Sequence, residues 1–394
     1  MVTSARVAVV GGSLGGLTAA LLLRDLGLDV TVYERSAIEL EQFGAGIGFL
    51  PDSSRYLVER CGLELDSVST KTSAIRYLRR DGSVDFEREH TYYFSSWNDV
   101  YRHLLDAFGR ERYLLGHEAI GRTENPDSVT VAFSNGTEQE VDLLVCADGI
   151  TSRFRSELVP TMKREYAGYV AWRGMVPESA IDQEVAAHLG DALTYGIFAN
   201  SHILVYPIPA LDGSVEVGKR LLNIVWYRNY APGPDVEDLM TDIHGERREV
   251  SLHPGSVRDV HVEEMRATAK ARLAPSLAHV VCAVEQPFIQ AVFDITIDRM
   301  AFGRTCIIGD AGFAARPHAA AGTAKAAANG WALAEALETA DEIPEALAAW
   351  EPGQVELGRQ LVERTQRLGR RSQVEQSWDP RDDETLFRLR PEGP

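Results

Sequence analysis

Four glycines in six residues, Gly11, Gly12, Ser13, Leu14, Gly15 and Gly16, constrain this chain more than any other segment. They stand between Arg6 to Val10, an apolar run of strand length, and Leu17 to Leu26, an apolar stretch of helix length that stops at Gly27. Val30 to Tyr33 then reads as a second strand, ended by Glu34 and Arg35. Strand, tight turn, helix and strand form the first unit of a dinucleotide-binding sheet. A turn without side chains lets backbone N–H groups approach a pyrophosphate at the positive end of a helix, and a carboxylate at the second strand end accepts ribose hydroxyls. Ser13 stands where the usual pattern has its middle glycine; it still permits close approach and adds a hydroxyl donor. The distance from turn to acid separates this segment from a bare glycine-rich turn.

With 394 residues the chain is long enough for two domains with separate cores, and its 45% hydrophobic and 25% charged residues are ordinary for a globular protein. Its formal charge of -18 repels phosphate backbones and anionic surfaces, so no nucleic-acid partner is expected. The one basic run, Arg364 to Arg371, reads as the solvated face of a terminal helix. No apolar run reaches the roughly 18 residues needed to span a bilayer. The N-terminus carries no charged segment followed by an apolar stretch, so neither a membrane span nor a leader is expected. Cys61, Cys146, Cys282 and Cys306 are far apart and show no paired ligand spacing. No metal site is expected, and the reduced cytoplasm is the simplest compartment. The sequence is compatible with a homodimer.

Asp81-Gly82 and Asn135-Gly136 sit between β-rich runs and predict two hairpins, a departure from simple βα alternation. Asp142 to Ala147 predicts a buried strand ending in Asp148-Gly149, and Thr305 to Ile308 another ending in Gly309-Asp310. Both belong with the first sheet. Between them, Tyr166 to Trp172, His202 to Pro207 and Leu221 to Tyr227 are aromatic-rich, strand-like and separated by turn residues, the pattern of a second, antiparallel sheet. After Asp310 a loop containing proline and glycine leads into Ala324 to Leu337, a run of strong helix formers. The predicted fold is α/β. It has a discontinuous Rossmann-like nucleotide-binding domain (residues 1–75, 98–165 and 285–345) and an inserted substrate domain built on a mixed or antiparallel sheet (76–97 and 166–284). A C-terminal helical segment (346–376) and a mobile tail (377–394) complete it.

Three ordered motifs make the chain resemble a known family: Gly11 to Gly16 with Glu34, Asp148-Gly149 followed by Ser152 and Arg155, and Gly309-Asp310 followed by Pro317 and Gly322. The family is that of the single-component FAD-dependent aromatic hydroxylases, to which p-hydroxybenzoate, salicylate and urate hydroxylases belong. The resemblance covers nearly the whole chain. Through Tyr166 to Val170, Trp172 to Gly174, Tyr206 to Pro209 and Arg316 to Gly322 the chain is most similar to the dihydroxypyridine-hydroxylating branch. The resemblance implies a nucleotide domain of the glutathione-reductase type, bound FAD, NAD(P)H as a transient co-substrate, and O2; it leaves NADH and NADPH undecided. It places Asp310 against the ribityl chain. It also places Gly322, Thr323 and Ala324 at the flavin pyrimidine end, where a helix N-terminus stabilises negative charge on reduced flavin. Most relatives carry a Gly-Gln-Gly-like triplet there, and this chain does not. Arg102 is implied at the FAD phosphates, and Asp148 with Gly149 at both FAD and the nicotinamide.

On the substrate side the resemblance implies hydroxylation of a small electron-rich hydroxylated aromatic or N-heterocycle, hydroxypyridine-like, through a C4a-hydroperoxyflavin. Ionising a ring hydroxyl raises electron density at its ortho and para carbons, so a proton acceptor near neutral pKa is needed. His318 and His202 are the expected acceptors, with Tyr206 beside them, while Arg173, Tyr195, Trp226 and Pro317 are expected to bind the ring. Either histidine reads equally as a satisfied structural residue, and the identity of the base stays open. A larger phenolic or quinone substrate is the alternative. A nicotinamide dehydrogenase would leave Gly309-Asp310 and its proline loop without purpose. A tryptophan-halogenase reading lacks its Trp-x-Trp-x-x-Ile signature, and the presence of Asp310, Pro317 and Gly322 argues against a non-catalytic scaffold.

Overall fold

The computed structural model describes residues 4–40 and 45–391. Arg6–Val10 pairs in parallel with Asp29–Tyr33 on one side and Leu143–Cys146 on the other, and Leu143–Cys146 pairs in parallel with Thr305–Ile307. Ala301–Phe302 and Tyr113–Leu114 form the edges of this six-stranded sheet. Its central strands are buried on both faces, which is why Val7 to Val10 and Leu143 to Cys146 are apolar throughout instead of alternating. The helix Leu14–Asp25 packs on the sheet. The helix Gly322–Thr339 packs on Leu14–Asp25 so closely that a Cβ on Gly330 would lie 3.2 Å from the Ala19 Cα.

A second sheet of nine strands runs in the order Ser251–Leu252, Phe288–Asp294, Glu165–Pro177, Leu221–Asn229, Ser201–Ile208, Ala192–Phe198, Thr70–Leu78, Val84–Ser96 and Gly46–Gly48. Neighbours are antiparallel except Ala192–Phe198 and Thr70–Leu78, which run parallel. Its two faces bury different sets of side chains. Val170, Trp172, Ile224 and Trp226 form a core with the helices Asp259–Arg272 and Pro275–Ala283. Tyr169, Ala171, Leu204, Tyr206, Val225 and Tyr227 face the other way and join a cluster with Leu361 of the long helix Ile343–Gln373. A small sheet, Ala119–Glu124, Val129–Phe133 and Glu138–Val141, completes the strands. The turns at Asp81-Gly82 and Asn135-Gly136 each join an antiparallel pair, as their sequences predict.

Three expectations are corrected. The large sheet begins at Thr70, includes Gly46–Gly48 and continues to Asp294, so the expected boundaries at 75 and 285 cut through it. Pairing across the sheet sets these limits: Gln290 lies opposite Ala171 and Ala291 opposite Val170, which local composition does not reveal. Residues 377–391 of the expected mobile tail are packed onto the rest of the chain. Phe387 and Leu389 are buried, and Trp378 packs on His202 and Tyr195. Arg364, expected on a solvated face, is turned inward and donates to the carbonyls of Glu384, Leu386 and Arg388. Three apolar anchors and the Arg364 guanidinium together seat this polar stretch.

Arg364→Met leaves three carbonyls without their donor. Urea unfolding should show a loss of about 1–3 kcal/mol, and trypsin should cut first in the tail; an unchanged midpoint would mean that the apolar anchors alone hold it.

Candidate active site

Val10 lies opposite Cys146 and Cys146 opposite Ile307, so the three turns that follow these strands open side by side. In the first, Gly11 has φ +103° and a Cβ there would lie 2.2 Å from the Ala147 oxygen; on Gly16 it would lie 1.9 Å from the Gly11 oxygen. Only glycine fits either place. Ser13 opens the helix Leu14–Asp25 without a side-chain capping bond, and Ser13, Leu14, Gly15 and Gly16 line a cleft of about 360 Å³. Glu34 is buried, and its carboxylate accepts from the N–H groups of Gly12 and Ser36, both at 2.8 Å, so it fixes the shape of the turn. Tyr113 donates to the Gly12 carbonyl at 3.0 Å, and Arg35 beyond the strand is exposed. Gly11, Gly12, Glu34 and Arg35 support this end of the cleft without lining it.

The second and third turns are stapled together. Arg155 is buried and donates to the carbonyls of Ile150 at 2.7 Å and Ala311 at 3.0 Å, with Gly149 and Asp310 at 3.5 Å. Gly149 lines the cleft with φ +74°. Asp148 points elsewhere: its carboxylate accepts from the N–H groups of Arg153 and Phe154 at the start of the helix Arg153–Leu158, and burial raises its pKa. Asp310 lines the cleft with its side chain 53% exposed. Behind it, the ammonium of the buried Lys325 donates to the Gly309 carbonyl at 3.0 Å, to the Asp310 carboxylate at 3.2 Å and to the Phe313 carbonyl. Gly322 and Thr323 line the cleft and Ala324 is buried behind them. The first backbone bond of their helix runs from Lys325 N–H to the Ala321 carbonyl, which leaves the preceding N–H groups without helical acceptors at the cleft edge. Arg102 is not at this site: it donates to Asp99 at 2.7 Å and to the Leu211 carbonyl at 3.2 Å.

The other end of the cleft is one face of the large sheet. Ala171 and Arg173, Leu204 and Tyr206, Val225 and Tyr227, and Gln290 line it, and the residues between them point into the opposite core. Trp226 is therefore corrected. It lies opposite Trp172 on the far face, donating from its ring N–H to Ser201 Oγ at 2.9 Å, and Tyr227 occupies the cleft instead. Tyr195 is also off the cleft, stacked on Tyr77 with centroids 4.8 Å apart. Arg173 donates to Gln290 Oε1 and to the Gly46 carbonyl, both at 2.9 Å, and Tyr206 donates to the same carbonyl at 3.0 Å. Gly46 N–H in turn donates to Asn223, and a Cβ on Gly46 would lie 2.7 Å from the Asn223 Cγ. Pro317 lines the wall, and Phe387 of the tail completes it.

His318 and His202 sit one layer behind this wall. His318 Nε2 shares a 2.6 Å hydrogen bond with the Tyr169 hydroxyl, and the Gln373 amide donates to His202 Nδ1 at 2.8 Å. Their rings are 5.2 Å apart, and both pack on Tyr227, at 4.8 and 4.6 Å. Burial holds the His202 pKa down at about 3; burial, then His202 and Arg316, hold His318 well below the ordinary range. Both are neutral. Burial pushes the Tyr206 hydroxyl up to about 12 and Tyr227 upward as well, against the opposing pull of Arg173.

Glycine turns open to backbone approach, a helix start with unpaired N–H groups and an outward carboxylate fit a pyrophosphate, a flavin pyrimidine edge and a ribityl chain. Fold and cleft together define a flavoprotein. The chain belongs to the FAD-dependent aromatic hydroxylases: the family model described as FAD binding domain matches residues 4–209, and a second, FAD binding domain-like, matches 166–294. It is 37% identical over 392 residues to 2,6-dihydroxypyridine 3-monooxygenase of Paenarthrobacter nicotinovorans, covering 98% of this chain and 96% of that protein. The solved 2,6-dihydroxypyridine-3-hydroxylase of Arthrobacter nicotinovorans matches with a TM-score of 0.92 at 36% identity, over 98% of this chain and 96% of that one. Klebsiella pneumoniae HpxO, solved with FAD and uric acid, shares the fold with a TM-score of 0.77 at 22% identity, over 94% and 89% of the two chains. FAD is the cofactor. Among the described residues no helix is long and apolar enough to cross a membrane, and no cluster of three or more His, Cys, Asp or Glu is arranged to hold a metal ion.

His202 makes stability depend on pH. Below its ordinary pKa of about 6.5 the unfolded chain binds a proton that the folded chain refuses down to about pH 3. Stability should therefore fall as pH drops through that window, by about 1.4 kcal/mol per pH unit from this residue. His202→Gln should flatten the slope by about one proton; an unaltered slope in denaturant titrations would show that His202 is protonated in the fold.

Proposed function

We propose that this enzyme hydroxylates a small, electron-rich, hydroxylated aromatic or N-heterocycle of the hydroxypyridine kind, using NAD(P)H and O2. One observation carries the reading: a single cleft joins the FAD-binding turns to an aromatic sheet face whose one charged side chain among the described residues is Arg173. The relative at 37% identity, named for 2,6-dihydroxypyridine, supports it. FAD held along Ser13 to Gly16, Asp310, Gly322 and Thr323 would supply hydride acceptance and O2 activation.

The chain's own residues supply orientation, charge and exclusion of water. Ala171, Leu204, Val225 and Phe387 form apolar walls against which a flat ring packs. Arg173 is held by Gln290 and Gly46, and its Nε is buried without a partner. Its charge favours the ionised form of a ring hydroxyl, in which the ortho and para carbons are most nucleophilic. Tyr206 and Tyr227 are kept protonated by burial and do not serve as anionic bases, and the Tyr206 hydroxyl donates to the Gly46 carbonyl. His318 and His202 are neutral, and the burial that keeps the fold from protonating them makes them weak proton acceptors; they pack behind Tyr227 and do not line the cleft.

Oxidation of NADH and NADPH with a panel of hydroxypyridines and phenols tests this. The substrate should accelerate flavin reduction and yield a product heavier by one oxygen; full-speed hydride transfer with no aromatic present would sink the hydroxylase reading. Arg173→Met should keep FAD and raise KM by the value of a charge-assisted hydrogen bond, about 1.5–3 kcal/mol, which is roughly tenfold to a hundredfold. An unaltered KM would remove Arg173 from substrate binding.

A further inference from the structure

Lys325 is an unusual residue to find in an alanine-rich helix. Its side chain is 1% exposed, and it is the fourth residue of Gly322–Thr339. A cation in that position meets the positive end of the helix dipole and gains nothing from it, and burial is a second cost. The fold accepts both. The ammonium reaches out of the helix to the loop Gly309 to Phe313, where two carbonyls and the half-exposed Asp310 carboxylate receive it. Asn329, one turn further along the same helix, accepts from Gly309 N–H at 3.0 Å, so Lys325 and Asn329 together hold this loop from one side. Arg155 holds it from the other.

Two buried cations hold the loop: Lys325 faces the Asp310 carboxylate, Arg155 lies near the carboxylates of Asp148 and Asp310, and the helix N-terminus adds positive potential at the cleft edge. Burial pushes Lys325 toward the neutral form and Asp310 opposes that push. Of these groups Asp310 lines the cleft, beside Gly322 and Thr323, so the Lys325 charge directly behind it acts on a ligand held there.

We propose that Lys325 is a positioning cation for the flavin: it sets the Asp310 loop from behind and makes the protein prefer reduced over oxidised FAD. Hydride brings two electrons and one proton, so the flavin that accepts it gains one negative charge, which a cation behind the loop stabilises. Lys325 does not line the cleft, so its effect is electrostatic and conformational and involves no contact with substrate. The inference rests on FAD occupying this cleft.

The experiment measures the midpoint potential of bound flavin by anaerobic dye-coupled titration in wild type, Lys325→Met and Lys325→Arg, with thermal unfolding of each apoprotein alongside. Lys325→Met should prefer reduced FAD about tenfold less, a fall of about 30 mV for a two-electron couple, and Lys325→Arg should restore most of it. Equal loss of affinity for oxidised and reduced FAD, at unchanged potential, would overturn the proposal and leave Lys325 a loop brace. Should Lys325→Met not fold, Asp310→Asn reports on the same charge from the other side. Removing the carboxylate that neutralises Lys325 should raise the potential, and a fall would overturn the proposal. A wild-type protein that retains no FAD would instead defeat the flavoprotein reading itself.

Discussion

Val10, Cys146 and Ile307 stand in register across three parallel strands, and that alignment determines where the polar backbone of the following turns must gather. A parallel sheet ends with its turns on one edge, and here the edge becomes the floor of the cleft. Because the turns are adjacent, one guanidinium satisfies carbonyls from two of them: Arg155 reaches both the segment after Asp148 and the segment after Gly309. Slipping any of these strands by one residue would strand those carbonyls, so strand register and cofactor geometry are a single constraint.

Gly46 plays the corresponding part at the other end. Its carbonyl receives Arg173 and Tyr206 and its N–H reaches Asn223, so one backbone unit from the N-terminal half is locked onto three strands of the large sheet. Arg173 and Tyr206, both on the cleft wall, are thus oriented by the same carbonyl. Alternation does the rest. Each strand crossing the cleft contributes every second residue to it and gives the others to a separate core, which keeps the binding face independent of the packing behind it.

The first turn was legible because its chemistry demands a residue type: nothing but glycine survives at Gly11 or Gly16, and sequence states glycine directly. Trp226 was misplaced because Leu221 to Tyr227 is buried on both faces, so the run carries no polar alternation to say which side faces the ligand. His318 was expected to meet the substrate, yet the loop turns it inward to Tyr169, a partner 149 residues away that no local pattern announces. Arg102 sits at the expected place in the chain, but Asp99, three residues earlier, captures it. Lys325 went unread because a lone lysine in an alanine-rich helix is ordinarily on the surface, and only the loop packed over it reverses that.

Ser13 and Phe387 belong to the wall of one cleft. A ribosome delivers them in that order, with nearly the entire chain between, at about 5–20 residues per second. The nucleotide turn therefore waits on the order of tens of seconds before the residue that walls its cleft even exists. The first turn emerges early but its site closes late, so during synthesis the aromatic sheet face around Tyr92 and Phe94 stays uncovered until the segment around Phe387 folds back onto it. Quality control in the cell meets this protein first as an open aromatic surface.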